Sequence, residues 1–180
     1  GLGDVYKRQF WRRRGLDDKT INRFGLGYAP DDGQALYQHL RDKGYNQQEL
    51  DASGLFKRSQ SGRIYCLFWR RVMTPIFDLR GNIIAFGGRV LDDSKPKYVN
   101  SPETLVYHKS DTVFALQIAK RSASHRYVLC EGYMDVISMH QAGIDTAVCA
   151  CGTALTPDQV KLISQYADEA VSYTHLTLPT

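Results

Sequence analysis

The chain has few of the residues that build covalent or metal-stapled scaffolds. Four cysteines occur among 180 residues, with no repeated CxxC pair, which argues against both a disulfide framework and a zinc knuckle. Cys149 and Cys151 form a lone CxC, read as two buried positions on alternate faces of a strand. No apolar run approaches the roughly 18 residues that cross a bilayer, and no signal-peptide pattern opens the chain. P-loop, HExxH and GxSxG motifs are missing, and Gly25-Leu26-Gly27 lacks the rest of a dinucleotide fingerprint. With 43% hydrophobic and 23% charged residues, neither disorder nor low complexity describes the chain. A cytoplasmic protein with reduced thiols and no membrane partner is expected.

Basic residues are also scarce, but only in part of the sequence. Residues 1–124 carry 21 Lys/Arg against 13 Asp/Glu, a net +8, whereas residues 125–180 carry 2 against 6, a net −4. Such a division suits a polyanion held by the first part and cations or chemistry handled by the second.

Helix boundaries are legible in the first part. Asp17 is an expected N-cap, with Leu16 and Ile21 at hydrophobic-staple spacing and Gly25 as the stop. A second helix is expected from Gly33 to Lys43, with Leu36 and Leu40 on one side and Gly44 at its end. Asn46 and Glu49 predict a third, short helix ending near Gly54. From Arg63 to Asn100 the period changes to that of strands, and Phe77–Ile83 has hairpin chemistry. Pro75 in the first run predicts an edge position or a strand start. A further helix is expected over Ser110–Arg121, with Val113, Leu116 and Ile118 inward.

The last third alternates. Tyr127–Cys130 reads as a strand, Met134–Gln141 as a helix closed by Gly143, and Thr146–Ala150 as a second strand. Thr156, Pro157 and Gln159 form a capping box opening a helix to about Ala167. This order implies a parallel sheet with crossover helices, whose ligands gather at the carboxyl ends of the strands. Glu131-Gly132 sits at one such end and Gly152-Thr153 at the next. Glu131, with Asp135 four residues on, is placed to hold a hard cation such as Mg²⁺, which takes one or two carboxylates and completes its shell with water and phosphate oxygens. An acid at Asp135 equally complements the helix dipole. Arg89 follows Gly87-Gly88, read as letting a ligand backbone approach closely. Lys97-Tyr98, His108-Lys109 and Arg12-Arg13-Arg14 add cations interleaved with aromatics, as in a groove that tracks phosphates and stacks bases.

The runs Arg71-Val72-Met73-Thr74-Pro75-Ile76, Ala85-Phe86-Gly87-Gly88-Arg89-Val90-Leu91, Pro96-Lys97-Tyr98-Val99-Asn100-Ser101-Pro102-Glu103-Thr104, Tyr107-His108-Lys109 and Glu131-Gly132-Tyr133-Met134-Asp135-Val136 occur in one order. Together they strongly resemble the RNA-polymerase core of bacterial replicative DNA primases of the DnaG type, from about Phe10 to Ala170. The Glu-Gly element is shared with other toprim proteins; the PKYxNSPET run coupled to GGRVL is specific to primases. Arg14-Gly15 and Phe24–Pro30 match the family's opening segment. The resemblance implies an α/β protein. A mixed helical and β primase-core subdomain (10–124) leads into a truncated toprim parallel α/β sheet (125–170). It implies synthesis of RNA primers on single-stranded DNA by Mg²⁺- or Mn²⁺-dependent nucleotidyl transfer within the primosome. A primer 3′-hydroxyl attacks the α-phosphate of a ribonucleoside triphosphate. Glu131 matches the catalytic, metal-binding toprim glutamate and Asp135 the acid that follows it. Arg14, Arg89, Lys97, Tyr98 and Lys109 match positions lining the template and nucleotide groove.

The sequence departs from the family at Tyr65–Trp69, where a basic, Asp-containing stretch is usual. The family's zinc-binding N-terminal domain and its helicase-binding C-terminal domain are not represented. Where the family has a third toprim strand ending in Asp-x-Asp, Ala170-Val171 runs into Ser172–Thr180. That tail (171–180) and the leader (1–9) read as non-native sequence. A lone Glu131 does not make a two-metal site, so this chain is expected to bind single strands without polymerising. Two other readings stay open: another toprim enzyme, such as a phage-type primase-helicase or a topoisomerase-like protein, and a non-catalytic single-strand-binding module.

Overall fold

The computed structural model describes residues 9–152 and 154–172, so the leader and tail proposed above, apart from Gln9 and residues 171–172, lie outside the described residues, as does Thr153. The chain divides into two compact units, Gly1–Pro75 with Ile84–Tyr107, and Ile76–Ile83 with His108–Thr180.

The first unit opens with a helix over residues 9–13 (α1), followed by α2 (Asp18–Arg23). The Thr20 N–H donates to Asp17 Oδ1 at 2.7 Å, satisfying one of the donors that a helix start leaves unpaired. The staple pair Leu16 and Ile21 is buried with Trp11, Phe24 and Leu26, and burial of each such side chain contributes roughly 1.5–3 kcal/mol. Strand β1 (Gly27–Ala29) leads to α3 (Ala35–Asp42) and α4 (Gln47–Ala52). Helix α4 starts in the expected capping box, Asn46 Oδ1 accepting from the Glu49 N–H and Glu49 Oε2 from the Asn46 N–H. Helix α3 buries no residue fully. Its Leu36 and Leu40 instead overhang an apolar cavity of about 330 Å³ that Met73 and Phe86 also line.

Strands β2 (Phe56–Arg58) and β3 (Ile64–Cys66) pair as a small antiparallel ribbon. The main sheet of this region has the order β1-β4-β5-β6, with β4 at Arg71–Phe77, β5 at Ile83–Val90 and β6 at Tyr98–Asn100. Pro75 therefore lies in an interior strand, not an edge strand. The structure accommodates it because β1 partners only Arg71–Met73, which leaves that flank of β4 uncovered at Pro75. The turn at Phe77–Ile83 forms as expected. Asp78 Oδ1 accepts from the Arg80 and Asn82 N–H groups, each at 2.8 Å. Asn82 Nδ2 donates to Asp78 Oδ2, and these bonds hold the Asp78 carboxyl below its ordinary range. After β6 the chain is clasped. A Cβ at Gly54 would lie 2.9 Å from Pro102 and 3.0 Å from Thr104. Tyr107 is fully buried, so the loop between these anchors presents Leu105 (88% exposed) and Val106 (66%) to solvent.

In the second unit the sheet order is β10-β8-β9-β7, with β8 at Arg126–Cys130, β9 at Ala147–Ala150, β10 at Glu169–Ser172 and β7 at Val113–Phe114. β8 runs parallel to both β9 and β10, while β7 is antiparallel to β9. Helices α6 (Tyr133–Gln141) and α7 (Pro157–Ile163) supply the expected crossovers. The helix expected over Ser110–Arg121 is replaced by β7, a left-handed Ala115 (φ 65) and a one-turn helix α5 (Leu116–Ala119). The β-branched and aromatic pair Val113-Phe114 gains more by pairing with Cys149-Ala150 than by continuing a helix. Val113, Leu116, Ala119, Tyr127, Val148 and Ile163 form one core, against which Leu79 and Leu162 pack. Helix α7 ends at Ile163 and only turns follow towards Ala167. Cys149 lies in β9 and Cys151 just beyond it, both buried. The expectation of alternate faces was mistaken, because positions two apart on a strand share a face.

Candidate nucleic-acid and metal-binding site

Four of the five expected nucleic-acid residues meet in the first unit. The register of β5 against β6 sets Arg89 directly opposite Tyr98, and the Arg89 guanidinium lies 5.6 Å from the Tyr98 ring centroid. Lys97 Nζ lies 6.0 Å from that ring. Arg89 also lies 6.0 Å from the Phe10 ring, and Arg14 5.5 Å from it. The result is a row of alternating cations and rings: Arg14, Phe10, Arg89, Tyr98, Lys97. Such contacts are each worth about 0.5–1 kcal/mol where exposed. Among the described residues none of these three cations forms an ion pair, and Tyr98 is 62% exposed.

Other cations are committed elsewhere. Arg12 pairs with Asp18 at 2.6 Å, so it leaves the run of three arginines seen in the sequence. Arg70 lies 3.7 Å from Asp31 and 3.9 Å from Asp92. Arg71 is almost wholly buried, and its Nη1 donates to the Lys97 carbonyl at 3.4 Å. Burial pushes its guanidinium down from its ordinary value, with Asp92 opposing. Gly88 explains how that side chain fits: a Cβ there would come within 2.8 Å of the Phe68 ring and 3.1 Å of Arg71 Cδ. The space at Gly88 is therefore filled by the protein's own side chains, not kept open for a ligand backbone as the sequence suggested. Sequence reasoning missed Phe10 as part of the row and Arg71 as a buried support beneath it. The spacing of Phe10 and Arg14, four apart on a helical segment, was the available signal for the first.

In the second unit Glu131 is exposed immediately after β8, and Gly132 is the N-cap of α6. Asp135 stands in the first turn of that helix, half-buried, where the helix dipole favours an acid. It lies near the carboxyl ends of two parallel strands, because its charge acts on Cys130 and Cys149, which are register partners. Burial first, then Asp135, pushes the Cys130 thiol up to about 11. The same causes, with the neighbouring thiols, hold Cys149 well above its ordinary value. Both thiols are therefore neutral and inert in the physiological range. Lys109 lies in this unit. Its carbonyl accepts from Gln159 Nε2 at 2.7 Å, while the Thr112 carbonyl accepts from the same amide at 2.8 Å. The donors at Glu131 and Asp135 are hard oxygens of the kind a divalent cation such as Mg²⁺ takes. No group of three or more His, Cys, Asp or Glu side chains suited to a metal occurs among the described residues. No described helix is long and apolar enough to cross a membrane.

Residues 128–174, which include the parallel pairing of β8 with β9 and β10 and carry Glu131 at the end of β8, match the Toprim-like family. Residues 4–120 match the family described as the DNA primase catalytic core, N-terminal domain, and the chain belongs to that family. It is 46% identical over 165 residues to the DNA primase of Clostridium acetobutylicum, covering 91% of this chain and 28% of that protein. To the DNA primase of Deinococcus radiodurans it is 44% identical over 165 residues, covering 90% of this chain and 29% of the relative. The chain thus spans under a third of the length of these relatives. A solved DnaG primase catalytic domain bound to single-stranded DNA superposes with a TM-score of 0.88 at 36% identity, over 96% of this chain and 56% of that one. The Escherichia coli primase catalytic core gives the same TM-score and coverage at 38% identity.

Proposed function

We propose that this chain is the part of a DNA-dependent RNA polymerase, a primase, that holds single-stranded template and contributes one edge of the nucleotidyl-transfer centre. The observation that carries the reading is the row Arg14, Phe10, Arg89, Tyr98 and Lys97. Cations with no carboxylate partner among the described residues attract backbone phosphate, and the exposed Tyr98 ring offers a face to a base. The likeness to a primase domain bound to single-stranded DNA supports the choice of ligand.

The reaction joins a primer 3′-hydroxyl to the α-phosphate of a ribonucleoside triphosphate and releases pyrophosphate. Glu131 and Asp135 would hold Mg²⁺ or Mn²⁺ at the end of β8, with water and nucleotide phosphates as the other ligands. A bound cation of this kind supplies Lewis-acid stabilisation of the phosphoryl charge. The chain's own work is to fix those two carboxylates and to keep the strand against the cationic row.

Fluorescence anisotropy with a labelled single-stranded oligonucleotide tests the template role. Arg89→Ala and Lys97→Ala are each expected to weaken binding and to reduce the log–log salt slope by about 0.7. Unchanged slopes in both would overturn it. Because no third metal-binding side chain joins Glu131 and Asp135 among the described residues, this chain alone is expected to bind without making primers. Mg²⁺-dependent primer synthesis by it would overturn that donor count.

A further inference from the structure

Arg14 and Arg89 each stand over the Phe10 ring, and neither forms an ion pair with a carboxylate among the described residues. Some other surface arginines of the same unit are paired with an acid, as at Arg12–Asp18 and Arg70–Asp31. Here the negative face of the Phe10 ring takes that role. The difference matters for binding. A carboxylate would occupy the guanidinium donors, whereas a ring leaves the outer N–H groups available for the paired hydrogen bonds that arginine makes to phosphate oxygens.

Contacts of Trp11 and of the Arg14 backbone set the position of Phe10. Trp11 is 2% exposed and anchors α1, and its ring meets Phe10 edge-on at 4.9 Å and 78°. The Arg14 N–H donates to the Phe10 and Trp11 carbonyls at 3.2 and 3.1 Å, a tight turn that folds Arg14 back over the ring. Arg89 is held between the Phe10 and Tyr98 rings, and its Nε is buried without a hydrogen-bond partner, so only its outer nitrogens remain to meet a ligand.

We propose that Phe10 is a positioning residue for single-stranded nucleic acid, holding Arg14 and Arg89 as a pair that meets backbone phosphates together. The inference rests on the template reading above and deepens it. Phe10 need not touch the strand; it acts through the two arginines.

A double-mutant cycle on the full chain tests this, read by anisotropy with a fluorescein-labelled single-stranded DNA oligonucleotide at low salt. Phe10→Leu keeps an apolar side chain and removes the ring, and is expected to weaken binding about three- to tenfold, as two exposed cation–ring contacts allow. Phe10→Tyr is expected to bind as the parent does. In an Arg14→Ala, Arg89→Ala background Phe10→Leu is expected to change nothing further. Thermal melts confirm folding, and Phe10→Met provides the same comparison if the leucine variant unfolds. Parent-like binding by Phe10→Leu, while the arginine variants bind weakly, would overturn the positioning role and leave the template reading intact. A Phe10→Leu loss that persists in full without the arginines would also overturn it. Arginine variants that bind as tightly as the parent would overturn both.

Discussion

In the first unit the side chains of the proposed template row are exposed or half-buried and lie against aromatic rings. In the second, Glu131 and Asp135 take their positions from the backbone, one from the end of a parallel strand and the other from the first turn of the helix after it. Removing a cation from the first row takes away charge and little packing. Disturbing the second site means disturbing the sheet, the buried thiols and the crossover helices that set it.

Gln159 offers the strongest way to break that contrast. It is fully buried. Its amide accepts from the Thr156 N–H at 3.0 Å and donates to the Lys109 and Thr112 carbonyls, so every member of this buried network is satisfied. Gln159→Ala is expected to cost about 3–4 kcal/mol, because three backbone groups lose their partner in a closed space. Urea unfolding measures it, and a loss below about 1 kcal/mol would mean that water replaces the amide. Gly88→Ala probes the other unit. With 2.8 Å to the Phe68 ring, the added methyl is expected to cost about 2 kcal/mol through overpacking. Single-strand affinity should fall with it, since Arg89 is the next residue. Lost stability with unchanged affinity would show that the rings alone hold the arginine.

The smallest effect concerns alkaline pH. The Cys130 thiol titrates near 11 in the folded chain against an ordinary value of 9.0, so the unfolded state releases its proton first. The stability this contributes is complete below about pH 9 and is lost as pH rises through about 11. Unfolding midpoints across that window should fall more steeply in the parent than in Cys130→Ala.

Much of the fold is visible in the sequence wherever local chemistry decides it. Asp17, Asn46 and Thr156 announce helix starts, and all three cap as their neighbours require. The turn at Asp78–Asn82 is equally local. Long-range pairing is what the sequence hides. Val113-Phe114 joins β9, thirty-odd residues away in sequence, and no short-range pattern separates that from a helix. At the site, residue types were legible and their grouping was not. Arg12, Arg13 and Arg14 look alike in sequence, yet Arg12 turns to Asp18 and Arg14 to Phe10. Gly88 read as space for a ligand because nothing local reveals that Phe68 and Arg71 fill it.

The clasp at Gly54 has a practical consequence. Leu105 and Val106 protrude further than any other large apolar side chains described, yet the backbone that carries them is pinned by Pro102, Thr104 and the buried Tyr107. A protease that favours bulky aliphatic residues would meet an exposed side chain whose flanking residues must come away from Gly54 and the core before the peptide bond can enter its cleft. Cleavage there would thus gauge how often the pins release. The resulting nick would fall within three residues of the border at Tyr107–His108, where one unit ends and the other begins.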